Sequence, residues 1–218
     1  MTAVTSHGLP GVFITFEGGD GTGKSTQAAL LQEALQLRGF PVQRTFEPGG
    51  TSLGRRIREL LLHGEDVSER AEALLYAADR AHNVATMVRP ALAQAKIVVQ
   101  DRYLDSSVAY QGAGRHLSTE EVRALSLWAA EGLVPDLTIL LDAPITVSAQ
   151  RIAYEKGQPD RLEGAGREFH EQVRREYLEL ARQEPQRWVV VDATRSLAEV
   201  AVDVLAAAEP RVKHLLPE

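Results

Sequence analysis

The chain has 218 residues, 44% of them hydrophobic, and carries 24 Lys and Arg against 30 Asp and Glu for a net charge of −6. That length supports one substantial core, and the absence of any long block of like charge argues against a nucleic-acid groove or a membrane-surface patch. The absence of cysteine excludes disulfides, thiolate zinc sites and cysteine nucleophiles, and fits a reducing, cytoplasmic compartment. The first ten residues lack a basic segment followed by an apolar one, and no apolar run approaches the roughly 18 residues of a membrane span, so neither export nor spanning is expected.

In chain order, a β-branched run over Val12–Phe16 leads into Gly18-Gly19-Asp20-Gly21-Thr22-Gly23-Lys24-Ser25-Thr26 and then a helical pattern over Gln27–Leu37. Strand, glycine-rich loop and helix in that order read as a P-loop, which binds a nucleoside triphosphate such as ATP. Gly18 and Gly23 let the backbone N–H groups turn inward, Lys24 reaches the β- and γ-phosphates, and the Ser25 hydroxyl offers a ligand to Mg²⁺. A second run, Val42–Phe46, precedes Glu47-Pro48-Gly49-Gly50-Thr51, and a helical stretch then sets Tyr76 and Arg80 four apart on one face, suited to stacking on a base and donating to its edge. Tyr76 taken alone equally suits core packing.

The third run, Ile97–Val99, is followed by Asp101-Arg102-Tyr103. Asp101 stands where a Walker B aspartate holds Mg²⁺, although a strand-end aspartate also caps helices; Arg102 offers a permanent, bidentate phosphate contact. Ser106 with Tyr110, and Ser107 with Gln111, form two further pairs four apart. A helical pattern over Glu120–Ala130 presents Trp128 for core or dimer packing, a fourth run covers Leu137–Leu141, and Trp188 opens a fifth over Trp188–Val191 as a core residue. The Arg-, Gly- and Glu-rich stretch Glu155–Glu171 reads as a mobile segment. The six histidines show no metal-ligand spacing. Apolar strands alternating with helices predict a three-layer α/β/α P-loop NTPase fold with a five-stranded parallel sheet, one domain over residues 1–218, and ligands at the carboxyl ends of the strands.

Together the P-loop with its acidic Asp20, the block from Glu47 through Thr51 to Gly54 and Ile57-Arg58, the block Asp101-Arg102-Tyr103 with Ser106 and Ala109-Tyr110-Gln111, and Asp160-Arg161-Leu162-Glu163 resemble bacterial thymidylate kinases from about Val12 to Asp192. The resemblance implies transfer of the γ-phosphoryl group of ATP to dTMP with Mg²⁺, by a homodimer. It implies that Asp20 contacts the deoxyribose 3′-hydroxyl, that Tyr76 stacks under thymine beside Pro48, and that Arg80 reaches a thymine carbonyl. Ser107 and Gln111 then meet the polar edge of the base, Tyr110 fills the space of a ribose 2′-hydroxyl, and Arg102 bridges the two phosphate groups.

This P-loop carries no arginine, so the resemblance passes transition-state stabilisation to a lid over about 151–167, with Arg161 first, Arg151 next, and Lys156 and Arg167 behind them. Two positions depart from the family pattern. Phe46 stands where an arginine usually precedes Glu-Pro, and Arg55 stands where Glu is common; Arg44, Arg55 or Arg102 is then expected to supply the missing acceptor-phosphate contact. Two other readings remain at this point: a kinase of the same fold with another small acceptor, and a nucleotide-dependent switch without turnover.

Overall fold

The computed structural model describes residues 7–156, 162 and 165–215. Five parallel strands, β1 (Val12–Glu17), β2 (Val42–Phe46), β3 (Ile97–Asp101), β4 (Leu137–Asp142) and β5 (Trp188–Asp192), form one sheet in the order β2-β3-β1-β4-β5. Each expected strand is present, and four of the five run one or two residues further at the carboxyl end, up to an acidic residue. Burial on both faces holds for β1, β3 and β4, but only Thr45 of β2 is buried, because β2 lies at an edge.

The helices are α1 (Lys24–Leu37), α2 (Ser52–Leu62), α3 (Glu69–Asn83), α4 (Arg89–Ala93), α5 (Leu104–Ser107), α6 (Thr119–Ala129), α7 (Ile145–Lys156), α8 (Arg167–Gln183) and α9 (Leu197–Val212), with π-helical segments at Val84–Val88 and Val108–Gly114. Their starts follow local chemistry. Thr51 accepts from Gly54 N at α2, and Ser196 and Glu199 close a reciprocal capping box at α9.

Alternation along β1 divides the core. Val12, Ile14 and Phe16 pack with Leu31 and Leu35 of α1 and Val200 and Val204 of α9, whereas Phe13 packs with Val88, Leu92 and Tyr103 in the opposite layer. Trp188 is buried with Val173 and Tyr177, as expected. Trp128 is 79% exposed, which rules out core packing for it within one chain. Among the described residues no helix is long and apolar enough to cross a membrane.

Candidate active site

The central strand delivers the chain to the P-loop at a point where only glycine fits. A Cβ on Gly18 would lie 2.5 Å from the Leu141 carbonyl oxygen, and Gly23 has φ +91°. Asp20 through Thr26 then line a cleft of about 850 Å³ at the carboxyl ends of the strands, while Gly18 and Gly19 form the turn behind it. Thr22 Oγ1 and Lys24 Nζ both donate to Gly19 O, at 2.9 and 2.7 Å. Burial and the nearby Arg102 charge bring the Lys24 ammonium down to about 8 against the pull of Asp20, Asp101 and Glu17. A bound polyphosphate would offset that burial with anionic oxygens.

Ser25 Oγ donates to Asp101 Oδ2 at 2.5 Å, and Asp101 Oδ1 is buried without a hydrogen-bond partner. A hydroxyl and an orphaned carboxylate oxygen facing a phosphate cradle are hard oxygen donors of the kind Mg²⁺ takes when substrate and water supply the rest of its shell. Among the described residues no three His, Cys, Asp or Glu cluster as an all-protein metal cage.

Arg102, directly after β3, has φ +63°. Its backbone N–H donates to Phe16 O at 2.9 Å, which fixes the turn against β1. Its NH2 donates to Asp20 Oδ1 (2.5 Å) and Tyr110 OH (3.1 Å), and its NH1 to Gly18 O and Ser106 Oγ (both 3.2 Å), with Tyr177 OH at 3.4 Å. Tyr110 OH donates to Asp20 Oδ2 at 2.8 Å, and the guanidinium lies 4.8 Å from the Tyr110 ring centroid. Burial opposes charge on Asp20, but the Arg102 and Lys24 cations outweigh it and hold the carboxyl well below the usual carboxylate range. The structure therefore joins Asp20 of the P-loop with Arg102 and Tyr110, from two separate blocks of the chain, into one cluster.

Beneath that cluster sits Glu17, a residue the sequence reading passed over by ending β1 at Phe16. Its Oε1 accepts from Tyr103 N (2.9 Å), and its Oε2 accepts from Ser106 Oγ (2.6 Å) and Tyr177 OH (3.0 Å). Those two hydroxyls, donating downward, turn lone pairs toward Arg102. Burial and the Asp105 charge push the Glu17 carboxyl up to about 7. The available signal was a charged residue at the carboxyl end of the central strand, where strand alternation points it away from the α1 layer.

The remaining expected residues divide clearly. Pro48, Tyr76, Arg80, Ser107, Tyr110, Gln111 and Arg151 all line the cleft. Arg80 is 1% exposed: its Nε lies 3.0 Å from Glu47 Oε2 as an ion pair without hydrogen-bond geometry, NH1 donates to Ser126 Oγ at 3.0 Å, and NH2 donates to Tyr103 O and Ser107 Oγ at 3.1 Å each. Arg55 is exposed on α2 and does not line the cleft. One helical turn onward, Arg58 does so, with NH1 donating to Pro48 O at 2.9 Å, and Arg44 and Phe46 line the same wall. The expectation for Arg55 is thus corrected: Arg58, four residues after buried Gly54 and beside buried Ile57, lies on the inward stripe of α2, whereas Arg55 lies on its exposed side. Arg167 turns to Glu171 at 2.7 Å on an exposed surface, while Arg161 and its block neighbours Asp160 and Glu163 lie outside the described residues, as does the side chain of Lys156. Ala193, Arg195, Leu197 and Val200 close the cleft at the β5–α9 side, a part the sequence reading had left blank.

A parallel sheet in this order, a P-loop at the end of its central strand, and an arginine–aspartate–tyrosine cluster beside that loop define a P-loop phosphotransferase with room for a second substrate. A family model described as Thymidylate kinase matches residues 16–204. The chain is 61% identical over 204 residues to a thymidylate kinase of Leifsonia xyli subsp. xyli (strain CTCB07), covering 93% of this chain and 97% of the relative, and 56% identical over 201 residues to one of Clavibacter sepedonicus, covering 92% and 95%. A crystal structure of thymidylate kinase from Ehrlichia chaffeensis superposes with a TM-score of 0.76 at 30% identity, over 90% of this chain and 97% of that one. The chain belongs to the thymidylate kinase family.

Proposed function

We infer that this chain transfers the γ-phosphoryl group of ATP to dTMP, giving dTDP and ADP, in the cytoplasm. The observation that carries this reading is the position of Arg102 in one continuous cleft, with the P-loop on one side and the wall of Tyr76, Arg80, Ser107 and Gln111 on the other. ATP lies with its phosphates on Gly18–Thr26 and Lys24, and with its base toward Arg195 and Leu197. The acceptor lies with its base against Tyr76 and Gln111 and its phosphate toward Arg58, Arg44 and Arg102. Asp20 and Tyr110 hold Arg102 while meeting the sugar, and the Tyr110 ring occupies the space a 2′-hydroxyl needs. Ser25 and Asp101 would hold Mg²⁺, which when bound would neutralise charge on the β- and γ-phosphates. No general base is needed, because the acceptor is already an anion and the protein's task is to align two anions and screen their repulsion. Arg151 on α7 completes the phosphate surround.

The acceptor assignment is tested by ATP- and Mg²⁺-dependent ADP formation with dTMP, dUMP, UMP, dCMP, dAMP and dGMP. A preference for dTMP of at least about tenfold is expected, and equal turnover of purine monophosphates would overturn the reading.

We further propose a homodimer through α2, α3 and α6. Leu53 and Leu60 on α2, Leu74 on α3 and Trp128 on α6 are exposed apolar side chains on helices that pack side by side, and Ala78 and Ala85 continue the Leu74 stripe. Sedimentation is expected to give a dimer for the unaltered chain and a shift toward monomer for Trp128→Glu at the same concentration.

A further inference from the structure

Gln111 is 1% exposed and reaches the cleft from the π-helical segment Val108–Gly114. A carboxamide offers an accepting oxygen on one side and a donating nitrogen on the other, and a half-turn exchanges them at little steric cost. What a ligand meets is therefore decided by whatever holds the opposite side. Here Gln111 Nε2 donates to Glu72 Oε1 at 2.9 Å.

Glu72 lies on α3 one turn before Tyr76 and is itself 1% exposed. Arg115 approaches both of its oxygens, Nε to Oε1 and NH2 to Oε2, each at 3.4 Å, and the Arg115 guanidinium is held 5.1 Å from the Phe169 ring centroid. A carboxylate paired with arginine only accepts. It can meet the amide nitrogen of Gln111, whereas the reversed amide would set oxygen against oxygen where little water enters, the costliest place for an unmade hydrogen bond.

We propose that Glu72 is a positioning residue that locks Gln111 with its carbonyl oxygen toward the cleft, so that the site takes an N–H from the base and selects the imide bases thymine and uracil against cytosine. The inference rests on the dTMP kinase reading above. Thymine N3–H donates to Gln111 Oε1; cytosine presents a lone pair at N3, and two acceptors then face each other with no proton between them. Pyrimidine choice at this edge is thus set by a carboxylate that need not touch the base.

The test is kcat/KM of the full-length protein for dTMP, dUMP and dCMP, measured for the unaltered chain, Glu72→Gln, Gln111→Leu and the double variant. Glutamine at 72 keeps the shape but can face Gln111 with either oxygen or nitrogen, which frees Gln111 to turn. The dTMP:dCMP ratio is expected to fall at least about tenfold in Glu72→Gln, mainly through KM. The dTMP:dUMP ratio, which reads only the 5-methyl group, stays the same. In the Gln111→Leu background the Glu72 substitution changes the dTMP:dCMP ratio less than about twofold, because contacts acting through one partner are not additive.

A dTMP:dCMP ratio unmoved by Glu72→Gln overturns the proposal, as does an equal fall in both ratios, which is the mark of general loosening. A crystal structure of the unaltered chain with dTMP serves even if Glu72→Gln does not fold. Gln111 Oε1 is expected within about 3.2 Å of N3 with Nε2 on Glu72, and any arrangement that keeps Gln111 off N3 overturns the lock. Failure of the unaltered chain to use dTMP at all is a separate outcome, seen before any variant is made, and retires the reading on which the lock depends.

Discussion

Arg102→Ala is expected to lower kcat with dTMP by roughly 10³-fold or more, the scale seen when an arginine on the transferring phosphoryl group is lost. The guanidinium is fixed from three sides by Asp20, Tyr110 and Ser106, and from below by Gly18 O, so its charge sits in the cleft without needing to be ordered during the reaction. Preorganised charge of this kind acts where charge develops, and its loss falls on kcat more than on nucleotide affinity. Lysine is a poor substitute because a point charge on a flexible stem cannot satisfy Asp20, Tyr110 and a phosphate together, so Arg102→Lys is expected to recover only a small part of the loss.

The backbone at 102 adds a second reading of the same substitution. With φ +63°, Arg102 occupies a conformation that glycine adopts freely and other residues adopt at a cost of about 1 kcal/mol or more. Arg102→Gly is therefore expected to melt above Arg102→Ala while being just as inactive. Such a pair separates the strain of the turn from the chemistry of the side chain. A kcat for Arg102→Ala within about tenfold of the unaltered chain would remove Arg102 from the phosphoryl-transfer step.

What the sequence disclosed follows from which signals are local. The strands were legible because apolar β-branched runs mark buried parallel strands, and the P-loop was legible because its glycines, Lys24 and Ser25 are contiguous. The joining of Asp20 to Arg102 and Tyr110 was reachable only through the family resemblance, since nothing local says that residues 82 and 90 positions apart share a hydrogen-bond network. Glu17 was missed because the apolar run ends one residue before it, although its place at the end of β1 puts it under the cluster. Arg55 was misread because charge alone does not reveal which side of α2 faces the cleft; Gly54 and Ile57 are buried, and Arg58 is the half-buried cation that lines it. The π-helical course of Val108–Gly114 has no periodic signature in so short a segment, so the Ser107–Gln111 pairing was readable but its coupling to Glu72 on α3 was not.

Arg80 is where the sequence reading and the structure differ most in emphasis, and its removal is expected to cost stability before specificity. The residue is one of the largest fully buried side chains, and it faces Glu47, itself buried, at the turn where the Glu47–Pro48 peptide is cis. Burial pushes the Glu47 carboxyl above its ordinary range, against the opposing pull of Arg80 and the hydrogen bond from Asn83 Nδ2 at 3.1 Å. Arg80→Met fills much of the volume but leaves a buried carboxylate without its cation, a change that costs about 3–5 kcal/mol. For a chain of this size that corresponds to a Tm lower by roughly 6–20 °C.

The deficit should depend on pH with a definite sign. A carboxyl whose folded value lies above its unfolded one contributes stability that is present below the unfolded value and lost as pH rises through the folded one, so without Arg80 the loss is smaller near pH 5 than near pH 8. Adding Glu47→Gln to Arg80→Met removes the stranded charge and is expected to restore part of the Tm and to abolish most of the added pH dependence, because the two side chains act as one unit. If Arg80→Met melted within about 2 °C of the unaltered chain, the ion pair would not be what holds the Glu47–Thr51 turn against α3. The NH1 hydrogen not given to Ser126 would then be its more important feature, as a donor to the base.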